Sequence, residues 1–465
     1  MSDKTTGAMQ QFGDGPGREG AGSHAGLVLL YAEEYGALPA AWPLTSPRVV
    51  IGRDESATLP LPVKAVSRTH AELVLSQGRW LVRDLGSRNG TLVDGHPVHE
   101  CELEPTSELR VGDAILKFVD RHIDEYASYR IDGAMLGDAT RRATGSALVG
   151  GSTMDSIAAD LERIAPTALT VMLLGESGTG KEVVASELHR KSGRRGHFAA
   201  VNCAAIPANL IESELFGYKR GAFSGAERDK PGLIRTAHEG TLLLDEIGDM
   251  PLEAQAKLLR VLQSKEVFPL GATQPERVDV RVVCATHRDL WRLQKAGTFR
   301  EDLFARLNEY QLRLPPLRER KEDVFMLARA FLARHGRPEL GLSFPFMTGL
   351  LHYDWPYNVR ELEACIKRAL ALANGPLLDV ELLPDPVRAE MSEYGQASAP
   401  ARPEPAASAR SPAGAPGGPP SREELQALLD AHSGNVAAVG RELGKARMQI
   451  HRWMKRYGID VEDYR

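Results

Sequence analysis

The sequence predicts a multidomain chain: an all-β sandwich, then an α/β domain built on a parallel sheet, then a small all-α unit. Three observations predict it. Short β-type runs with turn signals between them occupy residues 26–120. From Leu148 to about Arg388, apolar strands alternate with amphipathic helical stretches. Arg422 to Tyr457 then reads as helices with a turn-like break at Leu443-Gly444. At 465 residues the chain is too long for one ordinary hydrophobic core, and its length suggests about three domains.

Each element follows from local chemistry. In the sandwich, Val49-Val50-Ile51, Ala71 to Leu75, Trp80 to Val82 and Ile115 to Val119 are strand runs, and Ser76-Gln77-Gly78 is a hairpin turn. The pattern stops near Asp120, where the polar stretch Arg121 to Gly145 takes over as a connector. Leu169 to Leu174, Thr241 to Leu244 and Val280 to Ala285 are the apolar strands of the α/β part. Ala397 to Pro420 is dominated by Ala, Pro, Gly and Ser; it cannot bury enough apolar surface to order itself and is expected to be a tether. The expected boundaries are a disordered tail at 1–24, the sandwich at 25–122, a connector at 123–145, the α/β domain at 146–390, a flexible segment at 391–420 and the helical unit at 421–460.

Composition excludes several classes. A hydrophobic fraction of 43% with 26% charged residues describes a globular chain, not a disordered or membrane protein. No run of about 18 apolar residues is present, so no membrane span is expected. Met1 to Ser23 lacks an apolar h-region, which argues against secretion. The four cysteines, Cys101, Cys203, Cys284 and Cys365, form no C-x-x-C pair and suggest neither a disulfide framework nor a zinc site. A cytoplasmic location is expected. With a net charge of -5, any contact with nucleic acid has to come from a local basic patch.

Gly175-Glu176-Ser177-Gly178-Thr179-Gly180-Lys181 follows an apolar strand and precedes a helical stretch from Glu182 to His189, the context that a phosphate-binding loop requires. Its glycines let backbone N–H groups wrap phosphates, while the helix N-terminus and Lys181 add positive potential. Glu182 stands where most such loops place a Ser or Thr for magnesium. Thr241 to Glu246 supplies the second half of the site: an apolar strand ending in two carboxylates, Asp245 to hold magnesium and Glu246 to polarise the attacking water. ATP and Mg2+ are therefore the expected cofactors.

On these motifs residues 148–388 resemble the AAA+ domain of bacterial sigma-54-dependent activators, the enhancer-binding proteins. The resemblance is carried by the Gly175 to Glu182 loop, Glu214-Leu215-Phe216-Gly217, Gly221-Ala222-Phe223-Ser224-Gly225-Ala226, Leu244 to Gly248, Phe299 to Leu303, Leu314 to Arg320 and Trp355 to Leu362. Glu182 is usual in that family. The resemblance implies an α/β P-loop ATPase with a helical lid, self-association into a ring expected to be a hexamer, and a set of residue roles. Arg300 and Arg306 would reach into the neighbouring subunit's site, Arg360 would read the nucleotide from the lid, and His287 would occupy the first sensor position. Asn202 would restrain the catalytic Glu246 until the γ-phosphate is present. The Gly221 to Ala226 loop would press Phe223 and the Ser224 hydroxyl on sigma-54; the family usually has Thr at the latter position.

The flanking modules carry their own resemblances. Gly52-Arg53, Ser67-Arg68-Thr69-His70 and Asp84 to Thr91 resemble the FHA signature, which implies phosphothreonine recognition. Arg53 and Ser67 would take the phosphate with help from Arg68, Asn89 would hold the peptide main chain, and His70 would brace the loops from within. Gly434 to Gly444 resembles the first helix and turn of a Fis-type helix-turn-helix, with Ala446 to Arg456 as recognition helix. Arg447, Gln449, His451 and Arg452 are candidate groove readers, and Lys455 and Arg456 candidate phosphate contacts. The expected partners are sigma-54 RNA polymerase, upstream activator DNA, and a phosphothreonine protein or Ser/Thr kinase. The alternative is a DNA-bound phosphoprotein scaffold whose ATPase controls assembly without sigma-54; the Gly221 to Ala226 loop discriminates between the two.

Overall fold

The computed structural model describes residues 24–32, 38–126, 148–392, 394–396, 420–432, 434–443 and 447–459. Residues 1–23 of the expected tail, most of the connector, the bulk of the Pro/Ala tether and the expected turn residue Gly444 lie outside the described residues.

The N-terminal unit is a sandwich of a six-stranded and a five-stranded sheet. The first runs in the order Ala41–Pro43, Gly26–Ala32, Ala114–Val119, Glu108–Val111, Thr91–Val93, His96–Val98; the second in the order Leu59–Pro60, Arg48–Gly52, Ala71–Ser76, Arg79–Asp84, Glu100–Leu103. All pairings are antiparallel except that of Arg48–Gly52 with Leu59–Pro60. In the hairpin Ala71–Ser76 to Arg79–Asp84, Ser76 faces Arg79 across a two-residue loop. Gln77 and Gly78 there have φ values of 50° and 78°, the doubly positive turn that matches the twist of paired strands. Ile51, Leu73, Val82, Leu109 and Ile115 are fully buried between the sheets.

The α/β unit has a five-stranded sheet in the order Phe198–Asn202, Thr241–Asp245, Arg281–Thr286, Val171–Leu174, Tyr310–Arg313, all parallel. Because parallel neighbours need crossovers, helices such as Ser152–Ile164, Lys181–Lys191 and Leu252–Ser264 cover its faces, and its three central strands, Val171–Leu174, Thr241–Asp245 and Arg281–Thr286, are largely buried on both sides. The expected strands are recovered with small shifts: Leu169 and Thr170 precede the strand that carries the glycine-rich loop.

Beyond the sheet, helices Glu322–Arg334, Phe344–His352, Asn358–Leu372 and Asp385–Met391 form a lid. Trp355 at its centre is 1% exposed and donates Nε1–H to the Leu350 carbonyl at 2.8 Å. Three further helices, Arg422–Ala431, Val436–Leu443 and Arg447–Tyr457, share a small core of Leu425, Leu429, Val439, Ile450 and Trp453. Among the described residues no helix is long and apolar enough to cross a membrane.

Two expected boundaries differ from the fold. Ile123, placed in the connector, is 1% exposed in a short 3-10 turn packed on Val28, Ala41 and Val119; its apolar side chain belongs to the sandwich. Tyr394 and Gly395, placed in the tether, are held by the sandwich: Tyr394 Oη donates to Glu108 Oε1 at 3.2 Å, and Gly395 N to Gly95 O at 2.7 Å.

Candidate functional site

The glycine-rich loop leaves the strand Val171–Leu174 at the carboxyl edge of the sheet, where open parallel sheets place their ligands. Gly178 has φ 79°, and a Cβ there would lie 2.2 Å from the Tyr357 carbonyl of the lid, so only glycine fits. Gly180, at φ 104°, caps the helix Lys181–Lys191. Lys181 is 7% exposed; its ammonium donates to Gly175 O at 2.8 Å and Glu176 O at 3.1 Å, and lies 3.9 Å from Glu246 Oε1. Burial holds its pKa below the usual lysine value against the pull of Glu246 and Asp245. Thr179 is buried, whereas Ser177 and Glu182 are exposed.

Asp245 ends its strand, and burial beside Glu246 raises its carboxyl above the usual aspartate value. Its Oδ1 is buried without a hydrogen-bond partner in the protein. Such an oxygen, beside a second carboxylate, suits a cation held largely by phosphate oxygens and few protein ligands. The residues present therefore fit magnesium, which Asp245 would hold. Glu246 follows at φ 51°, a left-handed conformation that turns its carboxylate across the strand ends, where Oε2 lies 2.7 Å from His287 Nδ1.

The geometry of Asn202 departs from expectation. Its Nδ2 is 3.5 Å from Asp245 Oδ2, and its Oδ1 accepts from Ala204 N and Ala205 N. The reason is register: Asn202 pairs with Asp245 across adjacent parallel strands, while Glu246 lies one residue further on. Among the described contacts it is His287 that holds Glu246.

The lid grips the loop. Glu176 accepts both Arg318 guanidinium nitrogens, at 2.9 and 2.5 Å, and Asn358 Nδ2 at 3.1 Å. Although burial would raise its pKa, these donors hold it below the usual glutamate value. Asn358 is fully buried at φ 54°; its Nδ2 also donates to Ser177 O at 3.0 Å and its Oδ1 accepts Leu317 N at 2.8 Å. Arg360 reaches Ser177 Oγ at 3.1 Å. Sequence reasoning found Arg360 but missed Arg318 and Asn358; both stood inside the quoted motifs, yet nothing local showed that they face Glu176.

Arg300 and Arg306 lie elsewhere. They sit at the N-cap and in the last turn of Glu301–Leu307, 42% and 48% exposed, paired with Asp302 and Glu309. No described contact joins them to the glycine-rich loop of the same chain.

The Gly221 to Ala226 loop projects between the paired strands Gly217–Tyr218 and Lys230–Pro231. Gly221 N donates to Ala226 O at 2.8 Å and closes it, Gly221 and Gly225 have φ 82° and 105°, and Ala222 packs near Gly271. Ser224 is exposed, and Phe223 is 46% exposed with its ring edge-on to Tyr218 at 4.9 Å.

In the sandwich, Arg53, Ser67 and Asn89 converge on neighbouring loops. Arg53 Nη1 donates to Lys64 O at 3.3 Å, Ser67 Oγ accepts Arg88 N at 3.1 Å, and Asn89 Nδ2 donates to Ala65 O at 2.7 Å. Arg68 is exposed beside them. His70 is fully buried: Nδ1 accepts Ser67 N at 3.0 Å and Nε2 lies 3.0 Å from Gly90 O, so the ring is neutral with its proton on Nε2. Burial lowers its pKa below 6.5. This is the brace expected of it.

On the C-terminal helix, Gln449 is half-buried and Arg456 exposed. His451 Nε2 lies 3.5 Å from Asp354 Oδ2 of the lid, so the structure gives this expected groove reader a protein partner. The side chains of Arg447, Arg452 and Lys455 lie outside the described residues.

Fold and site together define an AAA+ ATPase domain with an FHA domain before it. Residues 148–313 match the sigma-54 interaction domain, 318–400 the AAA+ ATPase lid domain and 49–116 the FHA domain. The chain belongs to the sigma-54-dependent transcriptional regulators. It is 40% identical over 333 residues to the regulatory protein AtoC of Escherichia coli, covering 69% of each chain. It is 50% identical over 258 residues to the DNA-binding transcriptional regulator NtrC of Azospirillum brasilense, covering 54% of this chain and 53% of that one. The nitric oxide reductase transcription regulator NorR1 of Cupriavidus necator is 43% identical, over 64% of this chain and 61% of its own. The chain thus spans between 53% and 69% of these relatives' lengths. Among solved structures, NtrX from Brucella abortus in complex with ADP matches at 30% identity over 68% of this chain and 70% of that chain, with a TM-score of 0.48.

Proposed function

We propose that the protein activates transcription by binding upstream DNA, assembling into a ring and spending ATP hydrolysis on remodelling the closed complex of sigma-54 RNA polymerase. The observation that carries this reading is the pairing, in one AAA+ unit, of the Lys181, Asp245 and Glu246 cluster with a projecting loop that exposes Phe223. In the cleft, the backbone of Gly175 to Gly180 and the Lys181 ammonium take the phosphates, and Glu182 opens the following helix. Asp245 would hold magnesium, which would supply charge neutralisation at the phosphates. Glu246 orients and polarises the attacking water, and the His287 contact fixes where that carboxylate points. Arg300 and Arg306, half exposed and without a site of their own to serve, are supplied to the next subunit of a hexameric ring, where a guanidinium offsets charge on the γ-phosphate. Asn202 stays on the catalytic apparatus through Asp245.

Nucleotide state reaches the Gly221 to Ala226 loop, whose exposed Phe223 and Ser224 hydroxyl contact sigma-54. Arg53, Ser67, Arg68 and Asn89 form a phosphothreonine site through which a Ser/Thr kinase product regulates the chain. Arg447, Gln449, Arg452, Lys455 and Arg456 serve as DNA contacts, and His451 joins them once its Asp354 contact opens. The protein works in the cytoplasm. Open-complex formation on a sigma-54 promoter, measured by abortive initiation with polymerase and ATP, tests the reading: product that requires this protein and ATP supports it, and normal ATPase activity without product refutes it.

A further inference from the structure

The sandwich and the lid share one continuous hydrophobic core. Tyr31 of the sandwich packs against Phe325 and Phe344 of the lid, with ring centroids 5.5 and 6.0 Å apart, and its hydroxyl donates to Leu342 O at 3.0 Å. Two ion pairs cross the same junction: Lys117 to Glu322 at 2.6 Å and Lys321 to Glu108 at 2.9 Å, with none of the four side chains more than 7% exposed. Charges withdrawn from water this far stay favourable only while each keeps its partner, so the junction resists partial displacement.

Lys321 and Glu322 stand between two residues that face the other way. Arg320 Nη2 donates to the Thr179 carbonyl of the phosphate loop at 2.8 Å. The Asp323 carboxylate accepts Gly151 N, at the start of helix Ser152–Ile164, at 2.5 Å and Arg320 Nη1 at 3.2 Å. Four consecutive residues therefore divide in direction, the outer two to the ATPase core and the inner two to the sandwich.

The phosphopeptide loops reach this junction by a short route. Asn89 donates to Ala65 O at 2.7 Å. Gly112, at φ 60°, backs so closely onto Ala65 that a Cβ would lie 2.5 Å from that same carbonyl oxygen. Arg110 Nε donates to Gly112 O at 2.8 Å, and its guanidinium lies over the Phe344 ring of the lid at 4.8 Å.

We propose that Arg320-Lys321-Glu322-Asp323 is a two-sided connector through which the seating of the sandwich on the lid sets the nucleotide affinity of the phosphate loop. The inference rests on residues 175–181 being the nucleotide loop. With the sandwich seated, Lys321 and Glu322 are fixed and Arg320 and Asp323 hold the ends of the loop and of the first helix. Displacement of the sandwich frees the segment and loosens both grips. Occupation of the Arg53, Ser67 and Asn89 site acts on the same connector through the hairpin at Gly112.

The test uses the full-length protein. Glu108→Lys reverses one ion pair, and Glu108→Lys with Lys321→Glu restores opposite charges. Seating is read by hydrogen exchange of Glu108–Val111 and Ala114–Val119, and nucleotide affinity by titration with a fluorescent ADP analogue. The single variant is expected to exchange faster in those strands and to bind the analogue about tenfold more weakly, an ordinary size for coupling between sites. The double variant is expected to recover most of both. Faster exchange with unchanged affinity overturns the proposal, as does unchanged exchange in the single variant. If Glu108→Lys does not fold, Lys321→Met carries the same pair of readouts. A Lys181→Ala protein that binds the analogue normally would instead overturn the nucleotide-loop assignment on which the connector rests, an outcome distinguishable from altered exchange with unchanged affinity.

Discussion

Glu246 and His287 meet across the carboxyl end of the central sheet, with the carboxylate Oε2 2.7 Å from the imidazole Nδ1. The contact joins the ends of two neighbouring strands, Thr241–Asp245 and Arg281–Thr286. Glu246→Ala is expected to bind ATP normally and to lose at least about a hundredfold in turnover, the usual scale for removing a group that directs proton transfer. His287→Ala, which frees the carboxylate without removing it, should lower kcat less than Glu246→Ala does, with little change in ATP affinity. Steady-state ATPase assays with a parallel binding titration check both.

Arg318 has one principal task, the two-nitrogen grip on Glu176. Arg318→Ala leaves that carboxylate half-buried beside a phosphate site without its main counter-charge, so ATP affinity should fall by about tenfold, equivalent to about 1.4 kcal/mol. Arg318→Lys should recover only part of the loss, because an ammonium cannot make the two-pronged contact. Equal affinity in all three proteins, by calorimetric titration with ATP, would contradict this role.

These residues show how far the sequence alone carries. The glycine-rich loop and the Asp245-Glu246 pair were legible because each is a continuous segment whose spacing carries its chemistry. The strands Thr241–Asp245 and Arg281–Thr286 were legible within a residue from their apolar runs. Asn202's partner was not, because it depends on inter-strand register, which no local pattern fixes. Nor were Glu108 with Lys321, 213 residues apart, or Tyr31 with Leu342, 311 apart. A buried charge looks like any surface charge until its partner arrives through the fold. Residues 391–396 misled for the same reason: the Ala/Pro-rich segment begins near them, but Tyr394 finds a seat on the sandwich.

The proposed phosphothreonine site should depend on charge and on loop geometry separately. Arg53→Ala is expected to abolish binding of phosphothreonine peptides, and Asn89→Ala to weaken it while also loosening the Ala65 contact. Unphosphorylated and aspartate-substituted peptides should not bind, since one carboxylate lacks the charge and the three acceptor oxygens of a phosphate. Binding by the full-length chain, followed by calorimetry, decides; retention of phosphopeptide binding by Arg53→Ala would remove that residue from the site.

His70 is expected to make the sandwich acid-sensitive. Burial lowers its pKa below 6.5, so below that pH the unfolded chain takes up a proton that the native ring resists, and stability falls with falling pH. The contribution is complete above pH 6.5 and is lost as pH drops from 6.5 toward the lower native value. His70→Asn should be less stable at pH 7.5, having lost the fit to Ser67 and Gly90, yet show a shallower decline between pH 7 and 5.5. Thermal unfolding of both proteins across that window checks the slope.

In the proposed function, ATP hydrolysis is delivered to sigma-54 through the loop that exposes Phe223. The most direct measurement is abortive initiation by sigma-54 RNA polymerase with the full-length protein and its Phe223→Ala variant, run beside their ATPase rates. Phe223 contacts Tyr218 on the loop's own hairpin and no residue of the nucleotide cleft among its described ring contacts, so the variant should hydrolyse ATP at close to the normal rate and yield no abortive product. Abortive product from Phe223→Ala at the wild-type level, with ATPase intact, would contradict the account.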